Sequence, residues 1–402
     1  YLGFSKKEEY IHPSKRKVYK RSAAREWADA IIFAVIAATI IRTFFIEAYT
    51  IPTSSMEKSM LVGDYLFVSK LSYGPKVPVT PLSFPFAHHT LPFTEKTKAY
   101  LEWIKLPHYR YPGFTDIKNN DVVVFNYPDG DTVALERQNE SYYALVRQRG
   151  WDEVNRRYTV ISRPVDKREN YIKRCVATPG DILEIINGTI LINGEELEDE
   201  EGVQHNYHVV TNGTMLFQDY LEKYDITDAR IIRDTEYEYI LAVSKEVAEK
   251  LSKSNKIKSI QKITKPQNMR EEYIFPHNPN YRWNEDNFGP LQMPYKGQTI
   301  DITVDNLPLY ERIIEVYEGN TLEVKNNTIY INSKPATQYT FEMDYFFMIG
   351  DNRHNSADSR FWGFVPDDHI VGKAMFVWLS LRPDKSWFSG KIRWDKTFRL
   401  VH

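Results

Sequence analysis

An apolar run from Ala28 to Ile41, followed by Arg42 and Thr43-Phe44-Phe45-Ile46, limits the architecture more than any other feature. Its strictly apolar part falls short of the ~20 residues that a membrane span requires. Taken over residues 27–49, it is long enough. Asp29, Arg42 and Glu47 lie near its ends, where long side chains reach the headgroups. Residues 1–26 are polar and carry Lys15, Arg16, Lys17, Lys20, Arg21 and Arg25. Such a basic cluster predicts a cytoplasmic tail and places everything after about residue 50 outside. A buried core helix is the competing reading. A cleaved signal sequence is a third, opposed by the long polar stretch ahead of the run and by the lack of an A-x-A site after it. The second apolar run, Ala374 to Leu381, is too short to span and reads as a strand.

The remaining sequence favours strands. Apolar residues make up 42% of the 402, with 27 Tyr and 21 Phe beside many Val and Ile. Strand patterns stand at Tyr65-Leu-Phe-Val, Asp121-Val-Val-Val-Phe, Tyr171 to Val176 and Ala374 to Leu381. Gly180-Asp-Ile-Leu-Glu-Ile-Ile-Asn-Gly-Thr-Ile-Leu-Ile-Asn is echoed 139 residues later by Gly319-Asn-Thr-Leu-Glu-Val-Lys-Asn-Asn-Thr-Ile-Tyr-Ile-Asn. Each copy reads as strand, Asn turn, strand, a β-hairpin. Duplication and convergence both account for it. The same offset sets Arg312 opposite Lys173, so only the first copy carries a lysine. Residues 195–310 between the copies are charged and heterogeneous, with a helix over Lys245 to Ser254, and read as an inserted α+β subdomain. Residues 74–120 and 129–169 read as two further insertions. The expectation is a mainly β chain: a membrane anchor at 27–49, a β-rich domain from 50–194 and 311–402, and the 195–310 insert.

Some function classes drop out. A formal net charge of -2 gives no basis for a nucleic-acid partner. The single cysteine, Cys175, excludes an intrachain disulfide framework and any multi-thiolate metal site. The ten histidines show no paired ligand spacing, so neither a metal nor another cofactor is expected. Four N-x-S/T sequons, at Asn139, Asn187, Asn212 and Asn326, are the number chance allows in an Asn-rich chain.

Ile51-Pro52-Thr53-Ser54-Ser55-Met56 follows the anchor immediately. A serine hydroxyl is a weak nucleophile and needs a base, His or Lys. Lysine works only when deprotonated, and burial without a carboxylate partner lowers its pKa from about 10.4. Lys173 lies in the strand pattern Tyr171-Ile-Lys-Arg-Cys-Val, flanked by apolar residues. Strand lysines of this kind usually face solvent, so the pattern alone does not identify a base.

At these residues the chain resembles the type I (leader) signal peptidases. Ile51-Pro-Thr-Ser-Ser-Met with Leu61-Val-Gly-Asp-Tyr is similar to their nucleophile box. Asp121-Val-Val-Val-Phe-Asn-Tyr-Pro is similar to the next strand, and Tyr171-Ile-Lys-Arg-Cys-Val-Ala-Thr-Pro-Gly-Asp to the lysine box. Gly350-Asp-Asn-Arg-His-Asn-Ser-Ala-Asp-Ser-Arg-Phe-Trp-Gly-Phe-Val-Pro is similar to the final box. The resemblance implies a Ser–Lys dyad with Ser55 as nucleophile and Lys173 as base. It implies that Thr53, where the family usually has serine, helps the nucleophile's N–H bind the oxyanion, and that Ser356 orients the lysine amine. Asp358 and Arg360 match an ion pair that supports the last loop. His354 departs from an aspartate common at its position, and Asn120 from a glycine.

The family's activity implies cleavage of exported preproteins after small residues at -1 and -3, with the enzyme seated in membrane lipid. The peptide would add as a strand, with shallow apolar pockets lined by Ile51, Pro52 and Ile172. Ordinary core packing is the other reading for those three. Phe84, Phe86, Phe93 and Trp103 either dip into the membrane interface or form the core of their insert. Rival functions are a Ser–His–Asp hydrolase using His354 or His369, a self-cleaving repressor-type protease, and an inactive anchored binding protein. No G-x-S-x-G elbow or DNA-binding module accompanies the first two.

Overall fold

The computed structural model describes residues 22–94, 96–233, 237–387 and 389–401. Most of the basic tail, including Lys15 to Arg21, lies outside the described residues. An α-helix occupies Ala23–Phe44, capped by the Ser22 hydroxyl, with Glu26 in its first turn and Arg42 in its last. The two charges suit the helix dipole. None of its residues is buried, and Trp27 and Phe33 are more than two-thirds exposed. That rules out a core helix. It is the one helix among the described residues long and apolar enough to cross a membrane.

The 27–49 segment does not continue as one span. The helix stops at Phe44, and Ile46–Thr50 forms strand β1. Two causes meet here. Ile46, Tyr49 and Thr50 favour a pleated surface. Glu47, expected near the headgroups, is instead buried, with Arg42 at 2.5 Å and Lys70 at 2.8 Å.

The main sheet has eight strands. After β1 come β2 (Asp64–Ser69), β3 (Val122–Asn126), β4 (Asn170–Ala177), β5 (Tyr345–Ile349), β6 (Val365–Pro366), β7 (Ile370–Ser380) and β8 (Arg399–Leu400). Their spatial order is β1-β2-β7-β3-β4-β5-β6, with β8 on β7. Every pairing is antiparallel. All five residues of β3 are buried, as are all five of β5. Their unbroken apolar runs fit strands covered on both faces. One core layer gathers Ile51, Met56, Met60, Leu66, Val68, Val122 and Val377 beside the nucleophile segment.

The two repeat copies are hairpins of identical register. Leu183 faces Ile192 and Ile185 faces Ile190 in the first. Leu322 faces Ile331 and Val324 faces Ile329 in the second. The match extends to a third short strand, with Leu191 opposite Glu196 and Tyr330 opposite Pro335. The Asn193 and Asn332 side chains receive equivalent backbone N–H groups, from Ile182 and Thr321. Leu183, Ile190 and Ile329 are buried in one core, with Ile192, Leu322 and Ile331 packed against it. The likeness ends there. Arg312 is not on a strand; it ends the helix Leu307–Arg312. There it is held by Asp131 at 2.6 Å and Asp129 at 3.3 Å. The equivalence of Arg312 with Lys173 is therefore an accident of numbering.

The 195–310 stretch is less of a unit than its composition implies. Its self-contained part is a sheet ordered Ala229–Arg233, Glu238–Val243, His205–Thr211, Ile257–Lys262. Helices Gln218–Lys223 and Lys245–Ser252 cover it around Val209, Leu241 and Leu251. Both ends of the stretch instead extend the first hairpin: Glu195–Glu196 pairs with Thr189–Ile192, and Phe288–Gln292 with Ile182–Ile186. In the 74–120 insert, Phe84, Phe86, Phe93 and Trp103 are all exposed, so they do not form its core.

Candidate active site

Ser55 lies in a single 3-10 turn, Ser54–Met56, that begins two residues after Pro52. The turn is pinned from both sides. Ile51 N–H donates to Asp64 O at 2.9 Å, and Gly63 N–H donates to Ile51 O at 2.9 Å. Met56 and Met60 anchor it in the core at 0% exposure. Ser55 itself is 8% exposed.

Lys173 stands on β4, where residues from Lys173 to Ala177 are all buried. At 3% exposure it runs against the usual solvent-facing strand lysine. Its Nζ donates to Ser55 Oγ at 2.7 Å and to Ile172 O at 3.0 Å. Among the described residues no carboxylate lies within ion-pair distance of it. Burial pushes the amine down from 10.5 to about 8, against a smaller opposing pull from Asp358 and Asp351. A lysine in this state keeps a useful neutral fraction near neutral pH.

The other motif residues divide into groups. Thr53 is exposed, with Oγ1 3.5 Å from Ser55 Oγ. Asp358 and Arg360 form a buried pair at 2.8 Å, and Asp358 also accepts the Gly350 N–H at 3.2 Å. Arg360 and its neighbours hold the Asp358 carboxyl below its ordinary range despite burial. Ser356 is buried at 8% exposure, and among the described residues the Lys173 amine donates to Ser55 Oγ and Ile172 O but not to Ser356 Oγ. Ile51 is sealed in the core at 3% exposure, so it walls no open pocket here. Pro52 is exposed, and Ile172 is partly buried against the same core.

Several residues without an assigned role hold the site together. Arg174 grips Asp351 with two hydrogen bonds, at 2.8 and 2.7 Å. Asn352 N–H donates to Ser55 O at 3.1 Å and its side chain to Ser54 O at 3.3 Å. The loop after β5 therefore touches both the base strand and the nucleophile turn. Gly350 permits this approach: a Cβ there would lie 2.6 Å from Ser55 O and 2.2 Å from Ser356 Oγ. The insert braces the loop from its far side. Gln204 N–H donates to Asp351 O at 2.8 Å, Arg353 N–H donates to Gln204 O at 3.0 Å, and Asp199 pairs with Arg353 at 2.8 Å. Gly350 and Asp351 stand inside the final box and were open to sequence reasoning. Gln204 and Asp199 carry no local signal.

The two departures from the family pattern have physical accounts. Asn120 sits at φ 71°, the left-handed region that asparagine tolerates better than most residues. His354 receives the Asn206 N–H at 3.3 Å and lies 2.9 Å from Asp286. His369 contacts Asp368 and Arg168. Neither histidine reaches Ser55, so neither serves it as a base.

Two sheet edges lead into the dyad. Among the described residues β1 pairs with β2 only. β4 pairs with β3 over Asn170 to Arg174 but with β5 only from Arg174 onward, leaving one side of 170–173 open. Four antiparallel steps separate β1 from β4, so the two run parallel, both towards the dyad. A cavity of 230 Å³ lies against both strands, lined by Glu47 and Tyr49 of β1 and by Asn170, the first residue of β4.

A family model described as signal peptidase, peptidase S26, matches residues 24–379. Among curated relatives, a signal peptidase I from Buchnera aphidicola subsp. Acyrthosiphon pisum is 25% identical, the match covering 95% of this chain and 83% of the relative. One from Helicobacter pylori strain J99 is 26% identical, covering 96% and 94%. One from Haemophilus influenzae is 22% identical, covering 96% and 78%.

Proposed function

The chain belongs to the signal peptidase family, peptidase S26, and on that premise we propose that it removes signal peptides from exported preproteins through the Ser55–Lys173 dyad. The enzyme is a serine endopeptidase. Its single most telling observation is the 2.7 Å contact between a buried lysine amine and Ser55 Oγ. Neutral Lys173 takes the Ser55 proton as Oγ attacks the carbonyl carbon of residue -1. The Ser55 N–H and the Thr53 hydroxyl receive the negative charge that develops on the carbonyl oxygen. Lys173 then delivers its proton to the leaving amine, giving the mature protein and an acyl-enzyme. Water, deprotonated by the same lysine, hydrolyses that ester.

The substrate enters as a strand between the open edges of β1 and β4, paired to both backbones. Small residues at -1 and -3 suit a groove whose floor at Ile51 is already filled. Ser356 turns towards the lysine amine once substrate excludes water. The Ala23–Phe44 helix holds the site at the bilayer of the inner membrane, with the N-terminus cytoplasmic and the catalytic domain outside.

The test is cleavage of a preprotein by the purified full chain. Ser55→Ala and Lys173→Ala each abolish it, and Lys173→Arg fails as well because guanidinium stays protonated. Full activity in the folded Ser55→Ala variant would refute the mechanism. For topology, protease added to intact spheroplasts digests the C-terminal domain; its protection would reverse the orientation.

A further inference from the structure

The 230 Å³ cavity takes no part in the chemistry above, yet it lies against β1, which leads to the Ser55 turn, and against Asn170, the first residue of the strand that carries Lys173. One wall is the membrane helix, through Thr39, Arg42 and Thr43. The opposite wall is the Pro- and Phe-rich stretch from 77 to 88, part of the 74–120 insert that the motif boxes do not cover. That stretch is fastened in place. Thr80 donates to Asp166 through N–H at 3.0 Å and hydroxyl at 2.8 Å, Phe84 N–H donates to Ala99 O at 2.7 Å, and His88 Nε2 lies 2.7 Å from Arg168 O.

We infer that this cavity is a substrate subsite for the preprotein residues just upstream of -3, from about -4 to -6. The inference rests on the signal-peptidase reading and specifies what that enzyme grips beyond the small residues. Asn170 precedes Lys173 by three positions on β4, which is ~10 Å at ~3.3 Å per residue. A substrate strand with residue -1 at the dyad therefore reaches Asn170 near residue -4. Direction follows from the helix wall. The apolar part of a signal peptide lies in the bilayer, so the upstream side of the substrate meets the cavity, and the peptide runs parallel to β1 and β4.

The charges in the lining favour a peptide over an anionic lipid headgroup. Arg42 and Lys70 are both committed to Glu47, at 2.5 and 2.8 Å. Lys76 donates to Asn126 Oδ1 at 3.2 Å and to Asp368 O at 2.7 Å. Lys167 and His108, also in the lining, lie 3.8 Å from Asp166 and 3.5 Å from Asp367, so these basic groups already have partners, unlike the free cluster that a phosphate needs. Apolar contact comes instead from Val77, Val79, Phe84 and Phe86, next to the open strand edges that pair with a peptide backbone.

Phe84 and Phe86 are 53% and 58% exposed, so the double variant Phe84→Ser/Phe86→Ser keeps the fold. The assay compares two peptides in zwitterionic detergent with the full chain, one spanning -8 to +4 and one spanning -3 to +4. The parent prefers the longer peptide in kcat/KM, and the double variant lowers that long-to-short ratio about tenfold, chiefly through KM. An unchanged ratio, or a parent with no preference, overturns the subsite. A preference present only in phosphatidylglycerol vesicles assigns the cavity to a lipid headgroup and also overturns it. Failure of the parent to cleave either peptide would instead strike the functional reading on which the subsite rests.

Discussion

Replacing Lys173 by methionine destroys the enzyme and stabilises the fold. The side chain is 3% exposed, and burial lowers its amine from 10.5 to about 8. A difference of about 2.5 pKa units corresponds to about 3 kcal/mol at 1.36 kcal/mol per unit. The sign follows from proton binding. Between pH 8 and 10.5 the unfolded chain holds this proton more tightly than the folded chain, so stability rises with pH. Below about 8 the folded protein carries the whole penalty of a buried charge. Methionine keeps the volume without the charge. It forfeits the hydrogen bonds to Ser55 Oγ and Ile172 O, each worth about 1 kcal/mol. The balance is a gain of about 1 kcal/mol at pH 7 that turns into a loss of about 2 kcal/mol above about pH 10.5. Urea unfolding of the full chain in detergent micelles, followed by tryptophan fluorescence, measures it. A Lys173→Met variant less stable than the parent at pH 7, with a difference that does not change with pH, would refute the reasoning.

Three further outcomes are expected. Thr53→Val removes a hydroxyl 3.5 Å from the nucleophile and lowers kcat about 100-fold with little change in KM, while Thr53→Ser retains activity; equal rates for Val and Ser would contradict this in a steady-state assay. Gly350→Ala forces a Cβ to within 2.6 Å of the Ser55 carbonyl, a backbone atom that cannot rotate away, so cleavage drops at least about tenfold and the thermal midpoint falls together with it. Arg312→Ala strands two carboxylates, Asp129 and Asp131, and destabilises the fold by about 3–5 kcal/mol in calorimetry, while kcat at low temperature is preserved.

The chemistry was more legible in the sequence than the architecture around it. Ser55 and Lys173 stand 118 residues apart, and composition or periodicity does not pair them; the four boxes in order do. The depth of Lys173 in its strand was not readable locally, because a residue's burial depends on what covers the strand. The anchor boundary slipped for a related reason. Hydropathy saw one apolar segment, whereas Glu47 turns inward to Arg42 and Lys70 and β2 captures Ile46–Thr50 as its partner. The hairpins were legible because Asn turns and alternating Leu and Ile are local signals. The extension of the repeat to Arg312 failed because a fixed offset says nothing about where a strand gives way to a helix. Ile51 was placed in a pocket by its neighbours in sequence, but the core reached it first. Gln204 and Asp199, which brace the loop beside Ser55, lie about 150 residues from it in the chain, at 204 and 199 against 351–353 for the loop.

The pH dependence of kcat/KM for preprotein cleavage tests the Ser–Lys mechanism most directly. With Lys173 as the base, kcat/KM rises about tenfold per pH unit on the acid side and levels off near pH 8, the value to which burial brings this amine. A limb centred near pH 6.5, the ordinary value of an imidazole, or a profile flat from pH 5 to 9 would contradict it.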